Sequence, residues 1–127
     1  MERLLFIENG LQKAKGAFRE IKTFTNARDF NFSDSNRSLV YNSTTNVTLN
    51  LTTIPDTTNT SQRWEIGTEI ELIQMDTGSI SVSKGVNVDI VVYNDAVLTL
   101  LGKGAVMMLK LMSQTELNDT WLATGYL

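Results

Sequence analysis

Apolar residues recur at every second position over most of this chain. Val47, Leu49 and Leu51 alternate with Asn46, Thr48, Asn50 and Thr52. Ile70 and Leu72 alternate with Glu69 and Glu71, and Ile80 and Val82 with Ser79, Ser81 and Ser83. Val86, Val88, Ile90 and Val92 alternate with Asn87 and Asp89. Successive side chains of a strand point to opposite faces, so a period of two marks a strand with one buried face. The β-branched residues at these positions suit a pleated surface. Asp76-Thr77-Gly78, Lys84-Gly85, Asn94-Asp95 and Gly102-Lys103-Gly104 supply turn signals between the runs. Short strands with regular turns predict an all-β sandwich or barrel.

Two segments depart from the alternation. In "GAVMMLKLM", 104–112, Met107, Leu109 and Leu111 make one apolar face, and Val106, Met108 and Met112 make the other, interrupted by Lys110. A strand apolar on both sides needs cover on both sides. One cover is the core; the other is a second copy of the chain, through Val106, Met108 and Met112, or the N-terminal segment. That segment is the second departure. Leu11, Ala14, Phe18 and Ile21 follow a helical spacing and predict a helix over 11–22. Gly10 and Gly16 weaken it, so an extended arm stays open, and "RLLFIEN", 3–9, also reads as a short strand.

Composition narrows the function. The chain has 127 residues, which suits one domain, with no cysteine and no histidine. Thiol chemistry, thiolate metal sites and the commonest general base are therefore out of reach. No apolar stretch approaches a membrane span and the N-terminus does not resemble a signal peptide, so a soluble protein made in a cytoplasm is expected. Asn-Ser-Thr at 42–44, Asn-Val-Thr at 46–48 and Asn-Leu-Thr at 50–52 are sequons that an Asn- and Thr-rich strand produces by composition alone.

The net charge of −3 conceals a split: residues 1–28 carry six basic and three acidic residues, and the remainder five basic and eleven acidic. A positive segment before an acidic body predicts an N-terminal arm, 1–28, that docks on a partner, and a β-domain over 29–127. Arg3, Leu4, Leu5, Phe6, Lys13, Lys15, Phe18, Arg19 and Lys22 are its candidate contact residues. Basic and aromatic residues do not interleave as a nucleic-acid groove requires, so nucleic acid is not an expected partner, and with no apolar stretch near a span neither is a membrane.

Asp76-Thr77-Gly78 is also the tripeptide that carries the catalytic carboxylate of aspartic proteases. That chemistry needs two carboxylates sharing a proton, each braced by an apolar-apolar-glycine segment. Here Gln74 is polar, Ile80 lies in a serine-alternating strand, and the following "LLG", 100–102, comes too soon for a flap. The tripeptide reads better as a hairpin turn, with Gly78 supplying a positive φ. Glu69 and Glu71 share a polar strand face and are expected to be solvated. Gly102-Lys103-Gly104 lacks the spacing of a phosphate loop, and no calcium-loop pattern is present. No catalytic site, cofactor or metal is expected. Trp121 reads as core rather than as a carbohydrate-stacking platform.

The order of motifs resembles a β-domain of tailed-phage virion proteins, found in capsid-bound and tail fibres. The pieces are Asp34 to Val40, "NVTLNLTTIP" at 46–55, "IGTEIELIQMDTGSISV" at 66–82, "GAVMMLKLM" at 104–112 and "DTWLATGYL" at 119–127. They span about 100 residues in the expected order. The departures are Met75-Asp76-Thr77, where small residues are common, and Tyr126, where an acidic residue is common. The resemblance implies a mainly β, antiparallel jelly-roll-like sandwich, behind a short helical or extended arm, that assembles as a homotrimer. It implies structure and attachment rather than catalysis. With little chain before the β-domain, a capsid decoration protein or head fibre resting on the major capsid protein or another virion protein is the leading expectation. A tail-fibre or tail-tip receptor-binding component is the alternative, and a lectin-like module a lesser one.

Overall fold

A computed structural model describes residues 19–93 and 97–126. Among the described residues ten strands form two sheets: β1 (Glu20–Thr23), β2 (Arg28–Asp29), β3 (Arg37–Tyr41), β4 (Val47–Leu51), β5 (Glu69–Gln74), β6 (Ile80–Lys84), β7 (Val88–Val92), β8 (Thr99–Leu100), β9 (Val106–Gln114) and β10 (Asp119–Tyr126). One 3-10 turn, Phe32–Asp34, precedes β3. The larger sheet has the order β1-β3-β5-β9-β10-β7, and the smaller β2-β4-β6-β8.

From β1 to β6 the chain passes to the other sheet after each strand. Strands two apart in sequence therefore become neighbours: β1, β3 and β5 run parallel in one sheet, and β2, β4 and β6 run parallel in the other. The result is three stacked turns of a flattened coil. The long antiparallel pair β9–β10 then closes it, with β7 parallel to β10 at the far edge.

The mainly β, two-sheet architecture agrees with the periodicity. The antiparallel pairing does not hold generally: of the eight ladders among the described residues, five are parallel. Alternation reports which face is buried and is blind to the direction of the neighbour.

The two sheets close on one core. Leu39, Ile70, Leu72, Met107, Leu109, Leu111 and Trp121 from the larger sheet meet Leu49, Leu51, Ile80 and Leu100 from the smaller. In β4 the burial alternates strictly, as Val47, Leu49 and Leu51 predict.

Two expectations about the N-terminal region need correction. The helix expected over 11–22 does not reach its end, because Glu20–Thr23 is a strand whose backbone pairs with Arg37–Val40. Cross-strand pairing here outweighs the helical spacing of Ile21, which is left mostly exposed. The described part of the expected arm, 19–28, is also not separate from the β-domain: β1 and β2 are edges of the two sheets.

Candidate functional site

Asp76-Thr77-Gly78 lies between β5 and β6, which belong to different sheets. It is a corner between layers, not a hairpin. Gln74 is fully buried and organises it: its Nε2 donates to the Gly78 carbonyl at 2.5 Å, and its Oε1 accepts from the Asp76 N–H at 2.9 Å. The Asp76 carboxylate accepts from the Thr77 N–H at 2.8 Å. The corner rests on the preceding one, where the Gly78 N–H donates to the Ser43 carbonyl at 3.0 Å.

Gly78 is required for close approach and not for the positive φ expected of it. A Cβ there would lie 2.3 Å from the Thr45 carbonyl oxygen. The prediction is a contrast. Asp76→Asn keeps the acceptor oxygen, so its unfolding midpoint in urea should match that of the unchanged chain. Gly78→Ala must shift a backbone and should lose about 1–3 kcal/mol. Equal midpoints for the two variants would show that the corner does not stack as described.

The other carboxylates have partners of their own. Glu69 is ion-paired with Arg19 and lies 3.6 Å from the Lys110 ammonium. Glu71 accepts from the Ser38 hydroxyl at 2.5 Å. Both glutamates are thus engaged separately instead of forming the solvated pair expected. Asp34 is fully buried and accepts from Arg28 at 2.7 and 3.0 Å, from Lys22 at 2.8 Å and from the Asn31 N–H at 2.8 Å. Burial pushes its pKa up, but the hydrogen bonds from Arg28, Lys22 and Asn31, with the charge of Arg28, leave it lowered. Asp119, also fully buried, pairs with Arg63 at 2.5 Å. The same guanidinium holds the Thr115 and Glu116 carbonyls of the β9–β10 turn at 2.8 and 2.9 Å. Sequence reading did not single out either buried pair. Asn31-Phe32-Ser33-Asp34 does carry a capping-box signature that could have flagged the first.

Of the candidate docking residues, Arg3, Leu4, Leu5, Phe6, Lys13, Lys15 and Phe18 lie outside the described residues. Arg19 and Lys22 are described, and both are tied to the β-domain through Glu69 and Asp34. Trp121 is fully buried and stands edge-on to Trp64, with ring centroids 5.6 Å apart.

A depression of about 250 Å³ lies beside the Phe24–Tyr41 stack, between Thr23 and Ser43, and no carboxylate or amine side chain lines it. Among the described residues no group of three or more acidic, histidine or cysteine side chains could hold a metal ion. No described helix is long and apolar enough to cross a membrane.

The outer faces of the two sheets differ sharply. On the smaller sheet, Thr48, Asn50, Ser81, Ser83 and Thr99 face outward, opposite the buried positions of their strands. Their side chains bond across the strands: Asn50 to Asp29 at 3.0 Å, Ser81 to Thr99 at 3.2 Å, and Ser83 to Asn50.

The larger sheet turns aliphatic side chains outward among charged and hydroxyl ones. Val40, Ile73 and Val106 are adjacent in register across β3, β5 and β9, and Lys110, Leu122 and Val91 across β9, β10 and β7. Met108 stands beside Glu71 and Thr124 between them. Val106 and Met108 are half-buried by neighbours, Met112 is 50 % exposed and Val91 53 % exposed. The three candidate interface residues therefore share one face, and that face extends over five strands.

No family model matches the chain, and no curated protein or solved structure matches it either.

Proposed function

We propose that this chain is a non-enzymatic structural protein of a tailed-phage virion, a capsid decoration or head-fibre protein, that works as a homotrimer and docks through its N-terminal segment on another virion protein. The support is the way the resembling motifs map onto the fold. Asp34 to Val40 contains the buried carboxylate and β3. "NVTLNLTTIP" is β4 and the step after it, and "IGTEIELIQMDTGSISV" is β5, the layer-crossing corner and β6. "GAVMMLKLM" and "DTWLATGYL" are the closing pair β9 and β10. Each motif thus supplies a part the stack needs, in chain order. The polar ladder on the smaller sheet suits a surface that stays in water, while the apolar face of the larger sheet suits assembly.

Immunogold labelling tests the location. Antibody raised against the purified chain should mark the heads of particles from the phage that encodes it. Label confined to tails would favour a tail component, and unlabelled particles would overturn the virion assignment.

A truncation tests the docking. Because β1 and Lys22 belong to the folded body, the informative chain starts at Arg19. It should give the circular dichroism of the full chain yet bind particles lacking the protein at least tenfold more weakly, since several short apolar and ionic contacts are removed together. Equal binding would move the docking surface to the β-domain. A chain starting at Thr25 would also lose β1 and the Lys22–Asp34 pair, so its failure to bind would be uninformative.

A further inference from the structure

We infer that the outer face of the six-stranded sheet, through Val40, Ile73, Val106, Met108, Leu122 and Val91, is the surface on which copies of this chain assemble. The inference rests on the proposed homo-oligomer and identifies the face that makes it.

The molecule contains its own comparison. Both sheets contribute one face to the same core, so each has a second face to dispose of. The smaller sheet covers its second face with hydroxyl and amide side chains that bond to one another. The larger sheet sets one wholly aliphatic row, Val40, Ile73 and Val106, beside rows in which aliphatic and polar side chains are mixed. Alternating strands can place polar residues on a solvent face at no cost to the core, as β4 and β6 do. On the larger sheet each of β3, β5, β9, β10 and β7 instead puts at least one aliphatic side chain outward, beside Ser38, Glu69, Glu71, Lys110, Thr124 and Asp89, and an apolar cluster spread over five strands marks a face that becomes covered.

The charges on this face point the same way. An ion buried without a partner is strongly unfavourable, so a surface built for burial must neutralise its charges internally. Near the centre of the face, Glu69 is paired with Arg19 and with Lys110, and Glu71 is held by Ser38. Asp89 lies on the outermost strand β7, at the margin, where water can reach it. A centre in which Glu69 is matched by two cations and Glu71 is hydrogen-bonded within the chain offers little to select a charged foreign protein. It suits an equally apolar surface, and interfaces between identical chains are the more hydrophobic kind.

The size is of the right order. Six strands of four to nine residues, spaced about 4.8 Å apart with a rise of about 3.3 Å per residue, present roughly 600 Å² in projection, to which side-chain relief adds. A stable interface buries about 800 Å² per partner. Closed symmetry lets each copy use the same face, so no sheet is left uncovered.

The chain has no cysteine, so a single introduced one is a unique reporter. Met108→Cys places it on the apolar face, and Ser81→Cys on the polar face of the smaller sheet. In the oligomer at micromolar concentration, maleimide should modify the Met108→Cys chain at least roughly tenfold more slowly than the Ser81→Cys chain. Sedimentation of Val106→Glu should then give a monomer with the circular dichroism of the unchanged chain, while Ser81→Glu stays oligomeric.

An unchanged chain that sediments as an oligomer, with both thiols equally reactive, would overturn this face and leave the oligomer standing. A monomeric unchanged chain would overturn both. Protection of Met108→Cys in a monomer, lost when residues 1–18 are removed, would give the face to the N-terminal segment instead of a second copy. Should Val106→Glu fail to fold, the labelling contrast and the sedimentation of the unchanged chain still decide among these outcomes.

Discussion

Replacing Asp34 with alanine is expected to destabilise the protein by about 3 kcal/mol, the lower end of the range for breaking a buried ion pair. The carboxylate is fully buried and joins three pieces: Lys22 on β1, Arg28 on β2 and the Asn31 N–H at the start of the 3-10 turn. It therefore fixes the first turn of the coil onto the second. Lys22 and Arg28 keep 33 % and 26 % of their side-chain surface exposed, so water can take up the orphaned cations. That is why the low end of the range applies.

The loss should concentrate at the β1–β2 end. Native-state hydrogen exchange should show Glu20–Thr23 and Phe30 losing protection, with β9 and β10 following only the global change. A drop in midpoint under about 1 kcal/mol would mean that the ion pairs contribute no more than surface ones.

The same group sets an acid limit. Its pKa is lowered in the folded protein, so its contribution is fully present above the ordinary unfolded value of about 3.9 and is lost as pH falls through the folded value. Asp34→Asn removes this dependence. The stability difference between the unchanged chain and Asp34→Asn should be constant above about pH 5 and shrink below about pH 4. A difference that stays constant to pH 2 would contradict a titrating carboxylate at this site.

Which of these features could be read in the sequence follows from what each pattern encodes. Burial was legible wherever one face met the core: Leu49, Leu72, Ile80 and Leu109 all lie where the period of two puts them. Strand partners were not legible. A corner such as 75–79 carries the same Asp and Gly residues whether it reverses the chain within a sheet or passes to the other layer. The second apolar face of β9 was visible as Val106, Met108 and Met112. Its continuation through Val40, Ile73, Leu122 and Val91 needed the register, because those residues come from four other strands. Asp34 and Asp119 were hidden for a different reason. A buried acid is defined by its distant cations, and Arg63 is 56 residues from Asp119 in the chain.

The second large effect is expected at Trp121. It occupies β10 beside Leu111 of β9 and Ile90 of β7, and its ring meets Trp64 edge-on. Trp64 belongs to the long connection between β4 and β5, where its Nε1 donates to the Thr52 carbonyl at 2.8 Å. The aromatic pair thus fastens that connection to the closing strands. Trp121→Ala should cost about 3–5 kcal/mol, as large aromatic truncations in cores do. The two tryptophans then separate in a way their similar burial conceals. The Trp121 Nε1 is buried and has no hydrogen-bond partner among the described residues, whereas that of Trp64 has one. Phenylalanine at 121 removes ring volume and also an unsatisfied donor, which offsets part of the loss. Phenylalanine at 64 removes ring volume and orphans the Thr52 carbonyl. Trp64→Phe should therefore be the more destabilising by about 1 kcal/mol. Urea titrations followed by the fluorescence of the remaining tryptophan give both numbers. The reverse order would mean that the Trp121 N–H finds a partner in the folded protein and that ring volume alone does not rank the two sites.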